Sequence, residues 1–186
     1  MAVGAWVEYR WERPGETSSR MRFAVVSGDK DGRRRIEIEV VKEGGFARFG
    51  YDLLADGSKA RQVAQLGRKG AVLLIPEKPA EKVEAAVTAP SSKGKKRKPT
   101  PPQWRNVSVP AGRFRCKIVR NVRGESCIDP GLMPMKIVRF DGGKEGTMIL
   151  IGRGFDARPR ILGKPRPFPE LGAMPTMVPQ NLPFSP

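Results

Sequence analysis

Val109-Pro110-Ala111-Gly112-Arg113-Phe114-Arg115-Cys116-Lys117-Ile118-Val119-Arg120 reads as a tight turn feeding a strand. Pro110-Ala111-Gly112 supplies the turn, because proline presets φ and glycine accepts a positive one. After it, Phe114, Cys116 and Ile118 fall on one side, and Arg113, Arg115 and Lys117 on the other. Period-two alternation belongs to a sheet with one dry and one wet face. Residues 104–109 lead into the turn and pair back as a hairpin.

The same alternation recurs on both sides of that hairpin. Residues 6–11 (WVEYRW) set Val7, Tyr9 and Trp11 against Glu8 and Arg10. Pro14-Gly15 and Ser18-Ser19 turn the chain. Met21, Phe23 and Val25 share a face of the next strand. A polar loop at 28–32 precedes residues 34–41, where Ile36, Ile38 and Val40 point in and Arg35, Glu37 and Glu39 point out. Three such strands with short loops are an antiparallel meander. Residues 46–56 (FARFGYDLLAD) fit a strand or a short helix, and Gly50 with the aromatics favours the strand. Residues 58–66 (SKARQVAQL) read as a short helix, with Ser58 as N-cap and Ala60, Val63, Ala64 and Leu66 at helical spacing. Residues 71–75 make a short apolar strand. Pro130-Gly131 turns into a strand at 132–140, with Pro134 near its start. A final strand at 147–151 ends at Gly152 and Gly154.

The expectation is a mainly β chain: a curled antiparallel sheet or unclosed barrel of eight or nine strands, with one short helix. Residues 1–160 form the single domain. It is interrupted at 77–103 by a stretch rich in Pro, Lys and Ser that cannot bury a core. Residues 161–186 are an extended tail. From Pro159 onward eight of 28 residues are proline, a composition suited to lying along a sheet or docking in a partner's groove.

Composition narrows the chemistry. The 186 residues carry 35 Lys and Arg against 19 Asp and Glu, a formal charge of +16. Such a charge favours anionic partners: nucleic acid, anionic lipid, acidic protein or polyanionic glycan. No histidine is present. That removes the commonest general base and the Ser-His and Cys-His devices. Two cysteines do not make a zinc cluster. Asp52, Asp56, Asp129, Asp141 and Glu145 belong to turns and form no acid–base or metal pair. Gly152-Arg153-Gly154 is a turn and not a phosphate loop, since no helix follows. We therefore expect no enzyme, no catalytic residue, no metal and no cofactor. No run of about 18 apolar residues suits a membrane helix. The N-terminus passes almost directly into a strand without a signal peptide, so the chain reads as cytoplasmic or as a mature exported form.

Residues 6–10, 21–26 and 35–38 resemble the opening of a group of uncharacterised exported bacterial envelope proteins. That group carries a Pro-Ala-Gly-x-Phe-x-Cys hairpin, matched by Pro110 to Cys116, followed by strands similar to 130–138 and 147–152. The group in turn resembles the periplasmic lipoprotein carriers of the LolA and LolB type. The resemblance covers roughly residues 4–155 and implies an unclosed barrel whose concave face holds acyl chains under a helical lid. The chain departs from the group at Ser126-Cys127-Ile128, where the group has a Trp-containing strand. Residues 77–103 and the tail are its own.

Three candidate sites follow. The inward set Tyr9, Trp11, Met21, Phe23, Val25, Ile36, Ile38, Phe114, Ile118, Met135 and Met148 would line an apolar ligand site, or else fill an ordinary core. Lys93, Lys95, Lys96, Arg97 and Lys98 would meet a polyanion, or else form a solvated linker. Cys116 and Cys127 would bridge, or else stay as two buried thiols. With Arg123-Gly124 at the centre of the turn, Cys116 would face residue 131, so bridging needs a different loop. The reading overall is a non-enzymatic envelope protein, periplasmic or at the cell envelope. It binds an acyl, lipid or lipoprotein ligand, or serves as a structural or interaction component beside other envelope proteins. The alternative is a nucleic-acid-binding β-barrel that uses 93–98 and the outward Arg and Lys of 104–123.

Overall fold

The computed structural model describes residues 2–68, 70–75 and 103–167. The cations at 93–98 and the tail beyond residue 167 lie outside the described residues. The described residues form twelve strands: β1 (Trp6–Glu12), β2 (Ser19–Gly28), β3 (Arg34–Lys42), β4 (Gly45–Leu53), β5 (Lys59–Leu66), β6 (Val72–Leu74), β7 (Trp104–Val109), β8 (Gly112–Asn121), β9 (Gly124–Ile128), β10 (Ile137–Asp141), β11 (Thr147–Gly154) and β12 (Arg166–Pro167). They form one unclosed sheet in the order β12-β6-β5-β4-β3-β2-β1-β11-β10-β9-β8-β7. Two meanders, β1–β6 and β7–β11, are therefore zipped together where β1 meets β11. The single parallel pair among the described strands is β12 on β6.

The expected eight or nine strands become twelve, and the expected helix at 58–66 is strand β5. Ser58 caps no helix. Its backbone N–H and Oγ bond to Asp56 Oδ1 at 2.8 and 2.6 Å, closing a turn. Register with β4 then decides: Gly50 faces Val63 and Phe49 faces Ala64. Both Val63 and Ala64 are buried because both faces of this strand are covered. Its sequence consequently lacks the one-sided alternation that marks a half-buried strand. The only helical turn among the described residues is a 3₁₀ turn at Gly143–Glu145. The strand expected at 132–140 is shorter. Asp129 accepts the Gly131 N–H at 2.9 Å, Met133-Pro134 is cis, and pairing starts at Ile137.

The core lies where the sheet curls over β1, β2 and β8–β11. Val7, Tyr9, Trp11, Met21, Phe23, Phe114, Cys116, Cys127, Leu132, Val138, Met148 and Leu150 pack as one buried cluster. Tyr9 and Phe23 meet edge to face, and Trp11 stacks on Phe140. Cys116 and Cys127 form a disulfide with Cα atoms 5.2 Å apart. The turn is centred on Val122-Arg123, since Asn121 pairs with Gly124 and Ile118 with Cys127. Cys116 is thus the diagonal neighbour of Cys127, within reach in a twisted sheet.

The chain does not lose order at Gly154. It crosses the convex face of the sheet as a strap, from β11 to β6. Ala157 packs with Ala24 and Val26, and its N–H reaches the Gly4 carbonyl at 2.9 Å. Ile161 fills a notch with Val63 and Val72. Gly50 makes that notch possible, because a Cβ there would lie 2.8 Å from Val63 and 3.1 Å from Ile161. Glu37, expected to face solvent, is 4% exposed. Its carboxylate accepts the Arg160 N–H at 2.7 Å and the Ile161 N–H at 3.2 Å. The expected tail thus begins inside the fold, with Ile161 buried.

Candidate functional site: an arginine-lined groove beside the strap

Register places the convex-face residues in transverse rows. One row runs Glu8, Arg22, Glu39, Arg48 across β1 to β4. The next runs Arg20, Val41, Phe46. These two rows floor a groove of about 840 Å³, and the strap residues Asp156, Arg158 and Arg160 wall it. Trp6 and Arg68 complete its lining. Trp6 lies flat along β11 because Gly152 and Gly154 present no side chain beneath it, their would-be Cβ atoms falling 3.1 and 2.6 Å from the indole.

Six arginines face three carboxylates in this groove. Glu39 is bound by Arg48 at 2.7 Å and by Arg160 at 3.0 Å. Burial opposes its ionisation, but the hydrogen bonds and charges of Arg48 and Arg160 outweigh that and hold its carboxyl below the usual range. Asp156 accepts the Trp6 indole N–H at 2.6 Å, which lowers its pKa. Glu8 has Arg20 at 3.9 Å. Among the described residues no carboxylate lies within ion-pair distance of Arg22, Arg68 or Arg158. Arg22 is half-buried and stacked on Trp6 at 5.0 Å. Burial, then the nearby Arg160 charge, pull it below the ordinary guanidinium value. Arg48 and Arg68 lie over Phe46 at 4.6 and 5.8 Å. Arg22 and Arg48, half-buried against their rings, are partly desolvated, whereas Arg68 is exposed. Such groups bind carboxylate or phosphate oxygens in two-pronged fashion.

The inward apolar set divides in two. Tyr9, Trp11, Met21, Phe23, Val25, Phe114 and Met148 are buried. All of these but Val25 belong to the main cluster. Ile38, Ile118 and Met135 are half-buried against that cluster. Ile36 is half-buried outside it. Register continues this side across β3 and β4 as Ile36, Ile38 and Val40 beside Tyr51, Phe49 and Ala47. Phe49 was not among the residues chosen from sequence.

The groove residues were not chosen either. Their signal was present in part of the outward positions of β1 to β4, where Glu8, Arg20, Arg22, Glu39, Phe46 and Arg48 fall in two adjacent rows. The strap's contribution had no local signal, since residues 155–161 show no periodicity. Among the described residues no group of three His, Cys, Asp or Glu could hold a metal. No described helix is long and apolar enough to cross a membrane. No family model, no curated protein and no solved structure matches this chain.

Proposed function

We propose that this is a non-enzymatic binding protein of the cell envelope, built on a half-barrel like that of the lipoprotein carriers. It captures an anionic ligand in the arginine-lined groove. The observation that carries this reading is the excess of guanidiniums: six arginines for three carboxylates, with Arg22, Arg68 and Arg158 lacking a carboxylate partner among the described residues. Guanidiniums in excess of the carboxylates around them repel one another, and an incoming carboxylate or phosphate relieves that repulsion. The disulfide supports an oxidising compartment, where such bonds persist.

A second reading keeps the acyl ligand of the carriers. It is favoured by the half-buried stripe of Ile36, Ile38, Val40 and Phe49 on the other side of the sheet. An acyl chain along this stripe need not displace Tyr9 or Val25, which are fully buried.

Native mass spectrometry with lipid extraction, on protein purified from its own host, separates the two. Calorimetric titration with pyrophosphate supplies the defined probe. The groove reading expects pyrophosphate binding that weakens about tenfold in Arg22→Ala, the loss of one charge-assisted contact. Binding equal in the variant and the parent refutes it. Acyl adducts that survive Arg22→Ala and vanish in Ile38→Asp establish the second reading.

A further inference from the structure

The outward face of the β7–β8 hairpin carries a different arrangement of positive charge from the groove. Arg113, Arg115 and Lys117 alternate with buried Phe114 and Cys116 and are all exposed. They form a comb of cations repeating about every 6.8 Å along the strand. Opposite them on β7, the outward positions are Trp104, Asn106 and Ser108, which pair with Lys117, Arg115 and Arg113. None of these six is acidic. Glu125, the one carboxylate of β7–β9, is occupied by Arg105 at 3.1 Å and Arg120 at 2.8 Å. Arg113 and Lys117 have no carboxylate within ion-pair distance among the described residues.

Trp104 is 46% exposed on a strand that ends the sheet. The Arg115 guanidinium lies 5.4 Å from its ring centroid. The open part of such a ring, with a cation beside it, offers a flat face on which a ligand ring can stack. The strand carrying the comb also carries the disulfide, whose Cys116 lies between Arg115 and Lys117. It ties β8 to β9 and so holds the strand that carries the comb in place.

We infer that this face is a second binding surface, separate from the groove, and that it takes a linear anionic polysaccharide. Regularly spaced carboxylates or sulfates match the comb, and a sugar ring lies on the open part of Trp104. A single-stranded nucleic acid would use the same charges and the same stacking. The disulfide favours the polysaccharide, because bridged pairs persist in oxidising compartments, where extended polyanions include glycans.

The test uses the full chain, an oligogalacturonate of defined length and a thymidine oligonucleotide of equal charge. Each is titrated over a series of salt concentrations. The triple variant Arg113→Ser/Arg115→Ser/Lys117→Ser removes the comb, and Trp104→Ser removes the ring. All four positions are exposed, so the sheet is retained. The cations at 93–98 are common to every protein compared, so differences report the strand face alone. Oligogalacturonate affinity should fall at least tenfold in the triple variant, with the slope of log K against log salt shallower by roughly 2. Trp104→Ser should weaken binding severalfold at unchanged slope, and Arg22→Ala in the groove should leave it as in the parent. Equal binding by the triple variant and the parent would overturn the inference. So would a preference for the oligonucleotide that depends on Trp104.

Discussion

Glu37 is the residue on which the convex side depends, and Glu37→Ala is the perturbation that exposes its role. Its carboxylate is buried and takes the backbone N–H groups of Arg160 and Ile161. Hydrogen bonds to a charged acceptor contribute about 1.5–3 kcal/mol each. The Ile161 amide is buried with its residue, whereas Arg160 is exposed and water can replace part of what it loses. Counting the Ile161 bond in full and the Arg160 bond at half, about 2–4 kcal/mol is the expected weakening of strap docking. Undocking would also uncover Ile161, whose burial contributes roughly 1.5–3 kcal/mol and resists release. Amide hydrogen exchange resolved to single residues is the assay. A loss of about 3 kcal/mol should speed exchange of the Ile161 amide about a hundredfold through local opening. Core amides such as that of Leu150 should change far less. Glu37→Gln keeps one acceptor oxygen and turns an amino group towards the other amide, so it should fall between the parent and Glu37→Ala. Exchange at Arg160 and Ile161 within threefold of the parent in Glu37→Ala would refute the latch. Pyrophosphate binding should weaken together with strap docking, because Asp156, Arg158 and Arg160 wall the groove.

Tyr9 donates its hydroxyl to the Ile137 carbonyl at 2.7 Å, and burial raises its pKa well above the ordinary value. Tyr9→Phe should cost about 1–2 kcal/mol in denaturant titration at neutral pH. Because the folded pKa is raised, the tyrosine's contribution is complete below about pH 10 and is lost as pH rises beyond it. The parent should therefore lose stability relative to Tyr9→Phe between pH 10 and 12, and parallel curves would exclude this. Reducing Cys116–Cys127, which are 11 residues apart, should lower unfolding free energy by about 3 kcal/mol, read as a lowered denaturation midpoint.

The sequence by itself determined the sheet. Alternation at 6–11, 21–25, 34–41 and 114–118 depends only on neighbours two residues apart, so the faces of β1, β2, β3 and β8 are legible without any partner. The Pro-Ala-Gly turn and the curling follow from the same local rules. Tertiary structure decided three things. It decided that 58–66 is a strand, because pairing with β4 and cover on both faces outweigh a helix-like spacing. It decided that Glu37 is buried, because a segment more than a hundred residues later supplies the amides that satisfy its charge. It decided the groove, whose arginines come from β2, β4, the loop after β5 and the strap, and meet only when the strands pair and the strap crosses them. Alternation states which side of a strand is wet. Only register and the return of the chain state which charges become neighbours there.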